Sequence, residues 1–154
     1  MTDVRTEGTN GTPPLSEERL RQFEEELGTT LPGEYRAFLQ QHNGGTPRPA
    51  GFWVIEPVWK SHVARFYGLG DGPESLERHL DRAETRVPSY LLAIGEDAKG
   101  NFLGVGLRSS EKGTVYLLDN EIHGYADDPE SDQGIVKLNE SFQAFLEGLQ
   151  ELPR

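Results

Sequence analysis

The hydrophobic positions near the start of the chain recur with a helical period. Leu20, Phe23 and Leu27 are spaced three and four residues apart, which places them on one face of an α-helix. Ser16 is a suitable N-cap, and Gly28 is a suitable terminator. The pattern therefore predicts an amphipathic helix that begins after Ser16 and ends at Gly28.

A second amphipathic helix is predicted directly after the first. Pro32 suits the first turn of a helix, because no N–H is needed there and the φ angle of proline is already helical. Asn43-Gly44 supplies a residue that can adopt the left-handed conformation in which helices end. The apolar face between these two signals consists of Tyr35, Phe38, Leu39 and His42.

The centre of the chain has the composition of short strands separated by turns. Strand patterns cover residues 52–59, 65–69, 90–94, 101–107, 114–118 and 135–138, and Pro57 marks an edge or an end of the first of them. A helix is predicted over residues 75–84, and Pro88 forbids its continuation. A final helix carries its apolar residues at helical spacing, namely Phe142, Phe145, Leu146 and Leu149.

This order of elements predicts an α+β fold, with a mainly antiparallel sheet of five or six strands flanked by the N-terminal helices and a C-terminal helix. Residues 1–14 are polar and rich in Gly, Thr and Pro, so we expect a flexible N-terminal tail. Residues 15–152 are expected to form a single domain. The predicted core consists of Phe23, Leu27, Tyr35, Phe38, Leu39, Phe142, Phe145 and Leu146.

The two N-terminal helices carry specific residue types at a specific spacing. This stretch resembles the opening signature of the SUKH superfamily (SMI1/KNR4-like), which is named after a yeast regulator of cell-wall glucan synthesis. That signature is Glu-x-x-Leu-Gly, Leu-Pro, Tyr-x-x-Phe-Leu and Asn-Gly-Gly. The corresponding residues of this chain are Glu24-Glu25-Glu26-Leu27-Gly28, Leu31-Pro32, Tyr35-Arg36-Ala37-Phe38-Leu39 and Asn43-Gly44-Gly45.

The resemblance extends more loosely over residues 16–149. Residues 91–101 are similar to the central strand-turn-strand of the family, and residues 141–146 to its closing Ser-Phe-x-x-Phe-Leu helix. Residues 113–121 look like its later strand, which often ends in an Asp-His-Glu-like triplet, with Asn120 here in place of the His. The resemblance implies an immunity protein, because bacterial members are often encoded beside polymorphic or contact-dependent toxins, many of them nucleases, which they bind. A regulatory scaffold like the yeast namesake is an alternative within the same resemblance.

The chain is strongly acidic, with a formal net charge of −11 and a pI of about 4.8. This balance argues against a nucleic-acid-binding surface, which needs clustered Lys and Arg. It favours a basic partner, or it serves only solubility. The absence of Cys excludes disulfides and thiolate nucleophiles and fits a reducing compartment. No secretion signal or membrane-spanning run is visible, so we expect a cytoplasmic protein without membrane contact.

One constellation could carry metal chemistry. If the strand over 114–118 continued, Asp119, Glu121 and His123 would share one face and could ligate a divalent metal for a hydrolase. The competing interpretation is a polar strand end that enters a loop, and we favour it. The glycines at 100, 104 and 106 have the wrong spacing for a phosphate loop, and no Gly-x-Ser-x-Gly elbow is present. We therefore expect no enzyme, no cofactor and no metal, with the metal-dependent hydrolase as the alternative.

Acidic side chains without a compensating Lys or Arg cluster between residues 121 and 132. We expect this segment to be a loop that faces a basic toxin, because such a patch steers a cationic partner. Phe52, Trp53 and Trp59 could anchor a partner, although large aromatic residues are more often buried in the core, and we favour that position here. The candidate toxin-binding residues are Glu121, Asp127, Asp128, Glu130 and Asp132, with Glu96 and Asp97 in a second candidate turn.

Overall fold

The computed structural model describes residues 3–5, 15–55, 59–70, 75–78, 87–123, 128 and 131–152. Its main element is a six-stranded sheet in which each strand pairs antiparallel with the next along the chain. A separate two-stranded ladder joins β1 (Asp3–Arg5) to β2 (Thr46–Arg48). The strands of the sheet are β3 (Gly51–Ile55), β4 (Trp59–Phe66), β5 (Leu91–Asp97), β6 (Phe102–Gly106), β7 (Val115–Leu118) and β8 (Ile135–Asn139).

The helices are α1 (Glu17–Leu27), α2 (Gly33–His42), the single turn α3 (Asn120–His123) and α4 (Phe142–Glu147), with a 3₁₀ turn at Ser109–Glu111. The predicted α+β fold, with a mainly antiparallel sheet of five or six strands, two N-terminal helices and a C-terminal helix, is therefore confirmed, and the sheet has six strands. No helix among the described residues is both long and apolar enough to cross a membrane.

The predicted ends of the first two helices are confirmed almost to the residue. The Oγ of Ser16 accepts a hydrogen bond from the N–H of Arg19 at 3.1 Å, and Gly28 is left-handed with φ 84°. Helix α2 starts one residue later than predicted, with Pro32 in the capping position, and ends at Asn43 with φ 49°. Local sequence chemistry thus determines both helix boundaries.

The helices pack on one face of the sheet and form the main core with it. Phe23, Phe38 and Phe142 of the helices join Ile94 and Leu103 of the sheet in one buried cluster. Two predicted core residues, Leu27 and Leu146, are only partly buried at its margin. The remaining predicted core residues are buried, namely Tyr35, Leu39 and Phe145.

Three strands differ from the predictions. The segment 52–59 was predicted as one strand, but β3 ends at Ile55 and Trp59 starts the next strand, so the segment spans a hairpin; Pro57 lies outside the described residues. Strand β4 contains several polar residues. A strand can include them because its side chains alternate between the two faces of the sheet, and the buried side chains here include Ser61 and Val63. Strand β5 extends three residues beyond the predicted end and includes Glu96 and Asp97.

Two further predictions fall largely outside the described residues. Residues 76–78 are helical, whereas the rest of the helix predicted over 75–84 is not described. Within the predicted tail, Asp3–Arg5 pairs with β2. The other residues of the segment 1–14 are not described, so the tail stays a prediction.

Replacing Ser16 with alanine should lower the free energy of unfolding by about 1 kcal/mol, the usual value of an N-cap. The cause is the loss of the acceptor for the N–H of Arg19. Urea denaturation measures the change, and Ser110→Ala, at an exposed serine outside any helix N-cap, is the control. Equal stability of the two variants would contradict the role of Ser16 as a cap.

Candidate functional site

The segment after β7 turns into a helix instead of continuing as a strand. Strand β7 ends at Leu118, and the Oδ1 of Asp119 accepts hydrogen bonds from the N–H groups of Glu121 at 3.0 Å and Ile122 at 3.4 Å. Asp119 therefore initiates the single turn of α3. Asp119, Glu121 and His123 would share a strand face only if the strand continued, and that condition is not met, since these residues enter a helical turn.

The described residues offer no metal centre in this region or elsewhere. Among them, no group of three or more His, Cys, Asp or Glu side chains is arranged to hold a metal ion. The side chain of His123 is not part of that description.

The acidic loop, which we define as residues 121–132, is closed at its base by backbone contacts. The N–H of Asp119 donates to the carbonyl of Gly134 at 2.7 Å, and the N–H of Ile135 donates to the carbonyl of Asp132 at 3.2 Å. These bonds place the beginning of α3 beside the start of β8. The two described ends of this segment therefore lie close together at one end of the sheet.

Three of the candidate toxin-binding residues are exposed on this loop: Glu121, Asp128 and Asp132. The other two loop candidates, Asp127 and Glu130, lie outside the described residues. Ile122 stands next to Glu121 and is 54% exposed, one of two large hydrophobic residues so exposed in the described part of the chain.

The second candidate turn does not present its acidic residues to a partner. Asp97 is 2% exposed. Its carboxylate accepts hydrogen bonds from the Oγ of Ser61 at 2.9 Å, the N–H of Lys99 at 3.0 Å, and the backbone N–H of Asn101 at 2.8 Å. A fourth bond comes from the side-chain amide of Asn101 at 3.2 Å. The structure thus corrects the prediction for Asp97, because the carboxylate is fully used in ordering the turn between β5 and β6.

Glu96 is also engaged within the fold. It faces Arg65 across the β4–β5 pair, and the Nε of Arg65 lies 3.5 Å from the Oε1 of Glu96. Opposite charges in this cross-strand position support the pairing of the two strands. Glu96 is therefore part of the sheet surface and not the tip of a turn.

The buried network around Asp97 reaches the acidic loop. The Oδ1 of Asn101 accepts a hydrogen bond from the N–H of Asn120 at 3.0 Å, and the side-chain amide of Asn120 donates to the carbonyl of Gly100 at 2.5 Å. Asn120 stands at the position where the family triplet has a His, and here it joins the β5–β6 turn to α3. The start of the acidic loop is thus positioned by a rigid turn.

Trp59 and Lys99 lie next to this junction. The Nζ of Lys99 is 5.8 Å from the centroid of the Trp59 ring and donates to the carbonyl of Lys60 at 3.1 Å. Together with Asn101, Asp119 and Glu121, they line a cleft of about 460 Å³. Of the three aromatic residues considered as anchors, Phe52 is buried as expected, whereas Trp53 and Trp59 remain partly exposed.

The residues of the N-terminal signature hold the two helices together. The carboxylate of Glu24 accepts from the N–H of Leu31 at 2.7 Å and lies 3.3 Å from the Nε of Arg36. Arg36 also binds Glu17 through its two terminal nitrogens at 2.7 and 2.9 Å. This hydrogen bonding by the guanidinium holds the pKa of the Glu17 carboxyl below its ordinary value. The sequence showed the spacing of the signature residues, but not these hydrogen bonds and ion pairs between α1 and α2.

The chain is thus an α+β domain in which a six-stranded antiparallel meander is covered on one face by helices and carries exposed acidic residues between β7 and β8, among them Glu121 and Asp132. The family model described as SMI1 / KNR4 family (SUKH-1) matches residues 14–148. Since this match covers most of the sequence, the chain belongs to the SMI1/KNR4 (SUKH-1) family.

One similar curated protein is the "SPbeta prophage-derived uncharacterized protein YokK" of Bacillus subtilis (strain 168). It is 23% identical to this chain over 153 residues, which cover 88% of this chain and 75% of the relative.

Proposed function

We propose that this protein is an immunity protein that binds a cognate bacterial toxin and neutralises it by steric and electrostatic blocking, without chemistry. The observation that carries the proposal is the exposure of Glu121, Asp128 and Asp132 in this segment, with Ile122 exposed next to Glu121. Membership of the SMI1/KNR4 family supports it, because bacterial relatives in that family are often encoded beside polymorphic or contact-dependent toxins.

The charge of the chain supports a basic partner. A nuclease needs cationic side chains where it contacts phosphate, so an acidic inhibitor is attracted to the surface that it must block. The excess of 26 acidic over 15 basic residues supplies this attraction over the whole molecule, and the acidic loop concentrates it. The proposed site of action is the cytoplasm, where an incoming nuclease would meet its substrate.

Charge reversal of the acidic loop should slow association with the toxin, most strongly at low salt. Exposed charges act mainly on the association rate and are screened as the ionic strength rises. The variant carries three changes at exposed residues, Glu121→Lys, Asp128→Lys and Asp132→Lys. We expect its association rate constant to fall by about tenfold at low salt, measured by stopped-flow or surface plasmon resonance against the product of the neighbouring toxin gene.

A matched control distinguishes the effect of charge in the acidic loop from the effect of the total charge of the molecule. Glu18, Glu25 and Glu26 are exposed on α1, and replacing all three with Lys changes the net charge by the same amount. If both triple variants lose association rate equally, only total charge matters, and the acidic loop is merely solvated. If the wild-type protein neither binds nor protects against the neighbouring toxin, the immunity function itself is wrong and a regulatory scaffold replaces it.

A further inference from the structure

A second and larger cleft, of about 840 Å³, also has Trp59 in its lining. It lies where β2, β4, the β5–β6 turn and the last described residues meet. Its volume is in the range of ligand-binding clefts. The apolar residues that line it are Pro47, Pro49, Ala50, Trp59, Val63 and Leu152.

The charge of this cleft is opposite to that of the molecule. Among the described residues that line it, Arg48, Lys60 and Lys99 are cationic, and Glu151 is the one acidic residue. His62 lines it as well. In a chain with a formal net charge of −11, such a local excess of positive charge is complementary to a carboxylate, and Arg48 can bind one through two parallel hydrogen bonds.

The cleft has a rigid wall and continues towards the acidic loop. Ser61 lines it and is 2% exposed, and its hydroxyl is held by the buried carboxylate of Asp97. Trp59 and Lys99 line both this cleft and the smaller one that contains Asp119 and Glu121. A partner that contacts Glu121 in the smaller cleft can therefore also contact the larger cleft, through the shared residues Trp59 and Lys99.

We infer that this cleft binds an extended, carboxylate-bearing segment of the protein partner, with Trp59 as its apolar anchor. The inference rests on the proposed function, since the partner is the toxin. Trp is the residue type most typical of energetic anchors at interfaces, and the cationic side chains around it select an acidic segment. The partner would then present a basic surface to the acidic loop and an acidic segment to the cleft.

The decisive variant reverses two cleft charges, Arg48→Glu together with Lys99→Glu. This pair makes the net charge four units more negative. If only total charge matters, a basic toxin would bind this variant more tightly. If the cleft binds an acidic segment, the variant should instead bind the toxin more weakly, with a dissociation constant about tenfold higher than that of the wild type. Trp59→Ala should raise the dissociation constant by about thirtyfold.

The control pair, Arg21→Glu with Lys112→Glu, makes the same charge change at residues that do not line the cleft. We expect it to bind the toxin at least as tightly as the wild type, in titrations of purified proteins by calorimetry. Circular dichroism verifies that every variant is folded. Equal binding by the cleft and control pairs overturns the inference and leaves the immunity function intact.

A second experiment is independent of the toxin. A random peptide library displayed on phage is selected on the wild type and on the Arg48→Glu, Lys99→Glu variant. We expect Asp and Glu to be enriched on the wild type, and the enrichment to disappear on the variant. Absence of acidic enrichment, or its persistence on the variant, overturns the cleft inference. Failure of the wild type to bind the toxin counts against the proposed function alone.

Discussion

Replacing Phe38 with alanine should lower the free energy of unfolding by about 3–5 kcal/mol. The side chain is 4% exposed, and its ring centroid lies 5.1 Å from that of Phe142 and 5.2 Å from that of Phe66. It joins α2, α4 and the end of β4. Its removal leaves a cavity at the meeting point of three elements, where no single side chain can move to fill the space.

Urea denaturation tests this expectation, with Ile122→Ala as the control. Ile122 is also a large hydrophobic residue, but it is 54% exposed, so its truncation should change the free energy of unfolding by less than about 0.5 kcal/mol. An unchanged denaturant slope shows that the two variants unfold from comparable states. If Phe38→Ala costs no more than Ile122→Ala, the packing of α2 on the sheet is wrong.

Replacing Asp97 with alanine should destabilise the protein by about 3–5 kcal/mol, because four hydrogen bonds, three of them buried, lose their acceptor at once. Two of the donors are backbone N–H groups of the turn, those of Lys99 and Asn101, and they cannot turn away from the gap. Asp97→Asn should cost less, since the amide keeps one oxygen that can still accept from these N–H groups.

Two measurements distinguish this role from a surface role. Urea denaturation should rank Asp97→Ala well below Asp97→Asn, and both below Asp132→Ala, in which an exposed carboxylate is removed. Amide hydrogen exchange at Asn101 and Asn120 should accelerate in Asp97→Ala, because the turn that positions α3 is loosened. Asp97→Ala as stable as Asp132→Ala would contradict the buried network.

Acidic residues serve two different purposes in this chain: some form ion pairs between the first two helices, and others are exposed in the acidic loop. Glu24, which is largely buried, and Glu17, which is exposed, both pair with Arg36 and hold the two helices together. Glu121 and Asp132 are exposed at the end of the sheet, where charge acts through its long-range field. The amino-acid composition gives only the total charge, and it does not show which acidic residues are paired with a cation and which are exposed.

The sequence by itself determined the elements whose signals are local. Ser16, Gly28 and Asn43 end their helices through hydrogen bonds and backbone angles that depend on a few neighbouring residues. The short turns after β5 and β6 made antiparallel neighbours the simplest arrangement, and the structure has that meander. The apolar faces of α1 and α2 were also readable, because helical periodicity shows which side is buried.

Only the tertiary structure decided how charged and aromatic residues are used. Asp97 and Asp132 are both acidic residues near turns, yet one is enclosed by Ser61 and Asn101 and the other is exposed. Asp119 could have continued a strand, but its carboxylate instead caps the turn of α3. The cleft beside Trp59 joins residues 46–50, 59–63, 98–99 and 151–152, which are distant in sequence. Burial and charge complementarity arise from such distant contacts, so no local pattern of residues encodes them.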